Sequence, residues 1–236
     1  MSMDTQPPHA PNPMPLSVRL KEGTREVHEH VERTASFNRL IVVRMPGVDA
    51  SSPLNESVRG ALLTEYREVY RRFMVAAYGF EAGVNEVLKR SAALPLAEAA
   101  GFEFERHDPV VLIREDLLHV FGAESLEGLR LMEGLPAVRT LPELAGVEYV
   151  RRGSRAGGAV IAAVVERNLG LTREHGASFL AQYGKQTRAV LVALKTWLDA
   201  LPFSEAETEA AVIAARATFE AVQQYHGRLE DQFARV

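Results

Sequence analysis

Apolar positions recur along this chain every three or four residues from about residue 16 to the C-terminus, the spacing of helices that bury one face. Leu20, Thr24, Val27 and Val31 open the pattern, and Leu62, Tyr66, Val69, Phe73 and Ala77 continue it. Ser17 is placed to cap a first helix running to about Arg33. A second helical segment, around Phe37–Val43, stops at Met45-Pro46-Gly47, and Gly47–Asn55 reads as a surface loop. A long helix is expected over Ser57–Lys89, bent or split at Gly79 and Gly83. Asp108-Pro109 combines a cap with a first-turn proline, opening a helix that carries Val111, Leu112, Leu117, Leu118 and Phe121. Thr140-Leu141-Pro142-Glu143 and Ser204-Glu205-Ala206-Glu207 are capping boxes. A further helix is expected from Thr172 to about Leu201, and Phe102–Phe104 is the one short candidate for a strand. The pattern predicts an all-α chain.

Five of the twelve prolines fall in residues 1–15, which hold almost no large apolar side chains and read as a disordered leader. Residues 16–236 then form one helical domain. Cysteine is absent, which removes disulfides, thiolate ligation of iron, cysteine zinc sites and thiol catalysis. A net charge of −4 gives no general attraction to nucleic acid. No apolar run is long enough to span a membrane and no signal pattern opens the chain, so the expected location is the cytoplasm.

The run Leu20-Lys21-Glu22-Gly23-Thr24-Arg25-Glu26-Val27-His28-Glu29-His30-Val31-Glu32 concentrates chemistry on one side of a helix. At helical pitch Lys21, Arg25, His28 and Glu32 fall within roughly 60° of one another, beside the apolar face. A neutral imidazole, a carboxylate one turn on and two flanking cations suit a ligand with a metal at its centre and acids at its rim. An ordinary i,i+4 contact between His28 and Glu32 on a solvated face fits the same spacing. His30 lies on the other side of the helix, so one pocket does not easily use both imidazoles.

The second constellation is Gly153-Ser154-Arg155-Ala156-Gly157-Gly158, between the helical patterns Pro142–Arg152 and Ala159–Asn168. A glycine in a helix interior costs about 1 kcal/mol relative to alanine, so three in six residues need an offsetting gain. A kink, or the close approach of a flat ligand or another backbone, would supply it. A loop between two helices accounts for the same residues. Ser154 could anchor water there, or act as a cap.

Elsewhere His107, His119, His175 and His226 form no recognisable ligand set, and Asp116 with His119 lacks the second E-x-x-H that a di-iron bundle requires. No nucleophile elbow, Walker loop or dinucleotide fingerprint is present. Tyr66, Tyr70, Phe73, Tyr78 and Phe80 read as core.

Taken together, the two constellations resemble the haem oxygenase family. Leu20–Glu32 is similar to that family's proximal helix, L-(K/R)-E-x-T-(K/R)-x-x-H-x-x-x-E, and Gly153–Gly158, about 125 residues later, to the glycine-rich kink of its distal helix. Tyr66 and Phe219 match more loosely. The resemblance implies a multi-helical bundle with haem held between the proximal helix and a kinked distal helix. It makes His28 the iron ligand, Glu32 its hydrogen-bonding partner, and Lys21 and Arg25 the groups that meet the haem propionates. Gly153, Ser154, Gly157 and Gly158 become the distal segment. Where the mammalian-type pattern reads G-D-x-x-G-G this chain has Ser154 in place of the Asp, as in the bacterial branch, so another group must order distal water.

The implied reaction opens haem, both cofactor and substrate, at a meso carbon using O₂ and electrons from an external donor. Biliverdin, iron and carbon monoxide are released. A ferredoxin, flavodoxin or flavoprotein reductase would be the donor, and a bacteriophytochrome is an expected acceptor of biliverdin. Arg151, Arg152 and Arg155 could steer an acidic donor, or simply solvate a helix end. Three rivals remain: a haem carrier without turnover, a thiaminase-like helical enzyme, which this cysteine-free chain fits poorly, and an all-α interaction module.

Overall fold

A computed structural model describes residues 14–33, 40, 56–104 and 108–234. The expected leader and the segments Phe37–Val43 and Gly47–Asn55 lie outside them, apart from Met14, Pro15 and Leu40. Among the described residues the chain is all-α: α1 (Leu16–Glu32), α2 (Glu56–Lys89), α3 (Leu94–Ala99), α4 (Pro109–Phe121), α5 (Leu141–Leu169), α6 (Thr187–Ala200) and α7 (Glu205–Phe233). Phe102–Phe104 forms no strand; its two rings instead pack edge to face, 4.7 Å apart.

The starts read from sequence are mostly realised. The Asp108 side chain accepts from Val110 N–H ahead of Pro109, and Thr140–Glu143 and Ser204–Glu207 both close reciprocal capping boxes. Ser17 is a correction. The N-cap residue is Pro15, and Ser17 lies inside the first turn. Its N–H and hydroxyl both donate to the Asp199 carboxylate, at 2.8 and 2.9 Å. A side chain of α6 therefore satisfies the open end of α1.

The expected helix Thr172–Leu201 is also corrected, since the regular helix begins only at Thr187. Gly176 holds φ +85°, which breaks the pattern. The buried Tyr70 hydroxyl donates to Gly176 O at 2.7 Å, and Asp116 accepts from the amides of Ser178 and Phe179, both at 2.9 Å. Asp116 thus serves as an anchor for the turn.

Neither long helix breaks at its glycines. α2 runs unsplit through Gly79 and Gly83, and α5 runs unbroken from Pro142 through Gly158 to Asn168. What the glycines provide is proximity. A Cβ at Gly79 would lie 2.0 Å from the Tyr225 hydroxyl of α7, and one at Gly146 would lie 2.2 Å from Ala211 O.

Side-chain pairs fix how the helices run. On α2 and α5, Glu81 meets Arg155 while Tyr66 bonds Asn168, so these two are antiparallel. Arg72 covers the Phe233 ring while Gly79 packs on Tyr225, so α2 is antiparallel to α7 as well. Arg19 pairs with Glu205 at 2.7 Å and His28 meets Phe219, so α1 runs with α7. Helices α1, α5 and α7 therefore share one sense, against α2. One buried cluster, including Leu20, Leu144, Leu198 and Phe219, joins α1, α5, α6 and α7. A second, including Tyr70, Ile113, Ile161 and Leu180, joins α2, α4 and the far half of α5. Tyr66, Tyr70 and Phe80 are buried in these cores, as their spacing predicts.

Candidate functional site

The inner face of α1 buries Leu16, Ser17, Leu20 and Thr24, with Val27 and Val31 packed against the same core. Beside this face stands the predicted stripe. Lys21 and Arg25 are exposed, and neither makes an ion pair among the described residues. The His28 side chain is 51% exposed and its Nδ1 lies 3.7 Å from Glu32 Oε1. That gap is too long for a direct hydrogen bond and suits a bridging water. One edge of the imidazole is held by Phe219 of α7, with ring centroids 5.3 Å apart at 84°. His28 is therefore oriented on two sides, by an aromatic ring and a carboxylate, with the rest of the ring accessible. His30 is exposed, as expected.

The Thr24 hydroxyl, which donates to Leu20 O at 2.7 Å, stands beside the Tyr149 phenol and brings α1 to α5. Burial pushes the Tyr149 phenol above its ordinary range, against the opposing pull of the Thr24 hydroxyl. One turn further on, α1 presents His28 and α5 presents Gly153. Because the two helices share one sense, both lie on the same side of the Thr24–Tyr149 contact.

On α5, Tyr149, Gly153, Gly157 and Val160 form one stripe at i, i+4, i+8 and i+11. A Cβ added at Gly153 or Gly157 would meet nothing within 4 Å, and Val160 is 61% exposed. Bare backbone and one apolar side chain thus line an open face. Ser154 is exposed beside it. Gly158 does not join them: a Cβ there would sit 3.1 Å from Leu180 O, so this glycine admits a neighbouring backbone. Of the predicted residues, the fold brings His28, Gly153, Gly157 and Ser154 to one region and turns Gly158 into the core.

The arginines are a further correction. Arg151, Arg152 and Arg155 are all buried and form no exposed basic patch. Arg155 donates to both oxygens of Glu81, Nε at 2.6 Å and one terminal nitrogen at 2.8 Å. Arg151 Nε adds a bond to Glu81 at 2.7 Å. Arg152 and Arg151 reach Glu148, each at 3.3 Å, and the Arg152 guanidinium covers Phe102 at 4.1 Å. Burial alone would push the Glu81 carboxyl up; Arg155 and Arg151 outweigh it and leave the group below the usual carboxylate range. Glu148, at i−3 and i−4 from its partners, was a visible signal. Glu81 was missed because its partners stand 70 and 74 positions away.

Among the described residues no cluster of three or more His, Asp or Glu side chains is arranged to hold a metal ion, and no helix is long and apolar enough to cross a membrane. A cavity of about 930 Å³ beside α6, walled by Phe102, Leu112, Gln182 and Trp197, contains neither His28 nor the open glycines.

The chain matches the sequence profile of the family described as Heme oxygenase over residues 49–226. The match includes the glycine segment and begins after α1. No curated protein matches the sequence directly. Solved structures that share the fold include three heme oxygenases. Heme oxygenase-1 from the cyanobacterium Synechocystis, in complex with heme, is 16% identical with TM-score 0.65, covering 94% of this chain and 95% of that one. Heme oxygenase-2 from Synechocystis, in complex with heme and NO, is 18% identical with TM-score 0.67, covering 93% and 86%. Heme oxygenase from Leptospira interrogans is 21% identical with TM-score 0.63, covering 91% and 100%.

Proposed function

Since this chain belongs to the heme oxygenase family, we propose that it binds haem between α1 and α5 and opens it to biliverdin, iron and carbon monoxide. One observation carries the placement: the accessible imidazole of His28 and the open backbone at Gly153 and Gly157 lie on the same side of the Thr24–Tyr149 contact.

The residues present fit the group. His28 offers a neutral ring nitrogen: Nδ1 faces Glu32, which leaves Nε2 for iron. Glu32, through water, orients the ring. A neutral imidazole lacks the electron push of a thiolate, so it does not favour early O–O cleavage. Lys21 and Arg25, free of ion pairs among the described residues, meet the carboxylates at the haem rim by charge-assisted hydrogen bonds. Gly153 and Gly157 would let peptide groups approach bound haem closely, with Val160 as an apolar contact beside them. Ser154 holds water at its edge and can pass on a proton. Bound haem supplies the iron that reduces O₂ and the meso carbon that is oxidised.

Electrons come from an external ferredoxin, flavodoxin or flavoprotein reductase. With Arg151, Arg152 and Arg155 buried, attraction of an acidic donor falls to cations elsewhere on the surface. Residues 16–236 work as one domain in the cytoplasm, and a bacteriophytochrome is a candidate receiver of the biliverdin. The test is turnover: the haemin-loaded protein, given reduced ferredoxin or ascorbate in air, should lose its Soret band, gain biliverdin absorbance and release carbon monoxide. A haem carrier would be reduced and reoxidised with its haem intact.

A further inference from the structure

Behind the open glycine face, two arginines of α5 converge on one buried carboxylate of α2, and Arg151 also donates to Asn85 of that helix. At helical pitch Arg151 and Arg155 each lie roughly 160° from Gly153, on the opposite side of α5. Both end on Glu81, which is 1% exposed. Glu81 is itself centred between Gly79 and Gly83, which lie on the far side of α2 by the same arithmetic.

That far side is packed to contact. A Cβ at Gly79 would meet the Tyr225 hydroxyl at 2.0 Å, and one at Gly83 would meet Met132 O at 2.8 Å. Met132 N–H also donates to Gly79 O at 2.9 Å. So the back of α2 is packed against Tyr225 and Met132, and Glu81 projects from a helix that is held there. Each of its oxygens is engaged by a guanidinium, and a bidentate Arg–carboxylate pair fixes direction as well as distance. The order across the molecule is Tyr225 and Met132, then α2 with Glu81, then α5 with its arginines behind and its glycines in front.

We propose that Glu81 is a positioning residue: by clamping Arg151 and Arg155 it sets how far the Gly153–Gly157 backbone stands toward bound haem, and thereby which meso edge is opened. The inference rests on the haem oxygenase reading. Buried ion pairs contribute little net stability compared with apolar packing and are better suited to fixing one arrangement. A glycine-rich stretch of helix has the greatest need of such fixing, because its backbone is the least restrained.

The test compares the wild type with Glu81→Gln and with Arg155→Lys, which keeps the charge but loses the two-pronged geometry. In the haem-free proteins, amide hydrogen exchange at residues 153–158 should rise several-fold in both variants while α1 is unchanged. Loaded with haemin, both should keep near-normal affinity yet yield a mixture of biliverdin isomers where the wild type yields one. Leu198→Ala, in the fully buried core of α6, lowers stability without touching the clamp and should leave the isomer ratio alone.

Wild-type exchange and a wild-type isomer ratio in a folded variant would overturn the proposal, as would an equal mixture from Leu198→Ala. If Glu81→Gln does not fold, Arg155→Lys decides. If the wild type does not degrade haem, the functional reading fails while the exchange measurement still judges the clamp.

Discussion

Gly157 and Gly158 are neighbours in the chain, yet a side chain at the first would enter open space while one at the second would sit 3.1 Å from Leu180 O. The glycine-rich run therefore serves two purposes, one toward a ligand and one toward the core. The distinction can be measured. Gly153→Ala should stabilise the haem-free protein by about 1 kcal/mol, because α5 gains helix propensity and nothing obstructs the methyl group. The same variant should bind haem more weakly. Thermal melting with and without haemin checks both signs. Gly146→Ala, aimed at Ala211 O, should instead lower stability by about 1–3 kcal/mol, the clash outweighing the same gain in helix propensity.

Glu32 lies behind His28 at 3.7 Å from Nδ1. Losing such an outer partner costs roughly 10–100-fold in the affinity of a metal–histidine bond. Glu32→Ala should therefore keep a His-ligated haem spectrum with a weaker Fe–His bond, seen as a lowered Fe–His stretching frequency in the ferrous state. An unchanged frequency would mean that Glu32 is only a solvated neighbour.

Lys21 and Arg25 predict a salt-sensitive step. Reversing both, Lys21→Glu with Arg25→Glu, should weaken binding of haemin while leaving that of an esterified haem without free carboxylates little changed. Parallel titrations with the two porphyrins decide it.

His226 supplies a pH dependence remote from the site. Its Nδ1 is buried with no hydrogen-bond partner among the described residues, and burial pushes the imidazole below its ordinary range. The folded protein thus holds it neutral, while the unfolded chain protonates it below about pH 6.5. The unfolded state binds the extra proton between the two values. Stability should therefore be full above about pH 6.5 and fall as pH drops toward the depressed folded value. His226→Gln should flatten this part of the Tm-against-pH profile.

Local signals were legible in the sequence where one element settled its own fate. Both capping boxes, the Asp108-Pro109 start and the stripe from Lys21 to Glu32 needed no distant partner. The misreadings share the opposite property. Ser17 reads as a cap until Asp199 arrives from α6. Thr172–Leu201 reads as one helix until Asp116 and Tyr70 hold the turn at Gly176, although the glycines at 176 and 184 were a visible warning. Three arginines within five positions read as a surface patch until Glu81, on another helix, neutralises two of them. Conversely, the glycines of α2 and α5 read as bends or breaks, or as places of close approach; both helices stay whole and close approach is what the glycines provide at Gly79, Gly146 and Gly158.

The central claim is that His28 holds the iron. Titration of the purified protein with haemin, followed through the Soret and visible bands beside His28→Ala, tests it most directly. The expected result is saturable one-to-one binding with a His-ligated spectrum in the wild type. In the variant that spectrum should be lost, and added imidazole should restore it. Identical spectra and affinities in the two proteins would contradict the assignment and leave the stripe on α1 a solvated face.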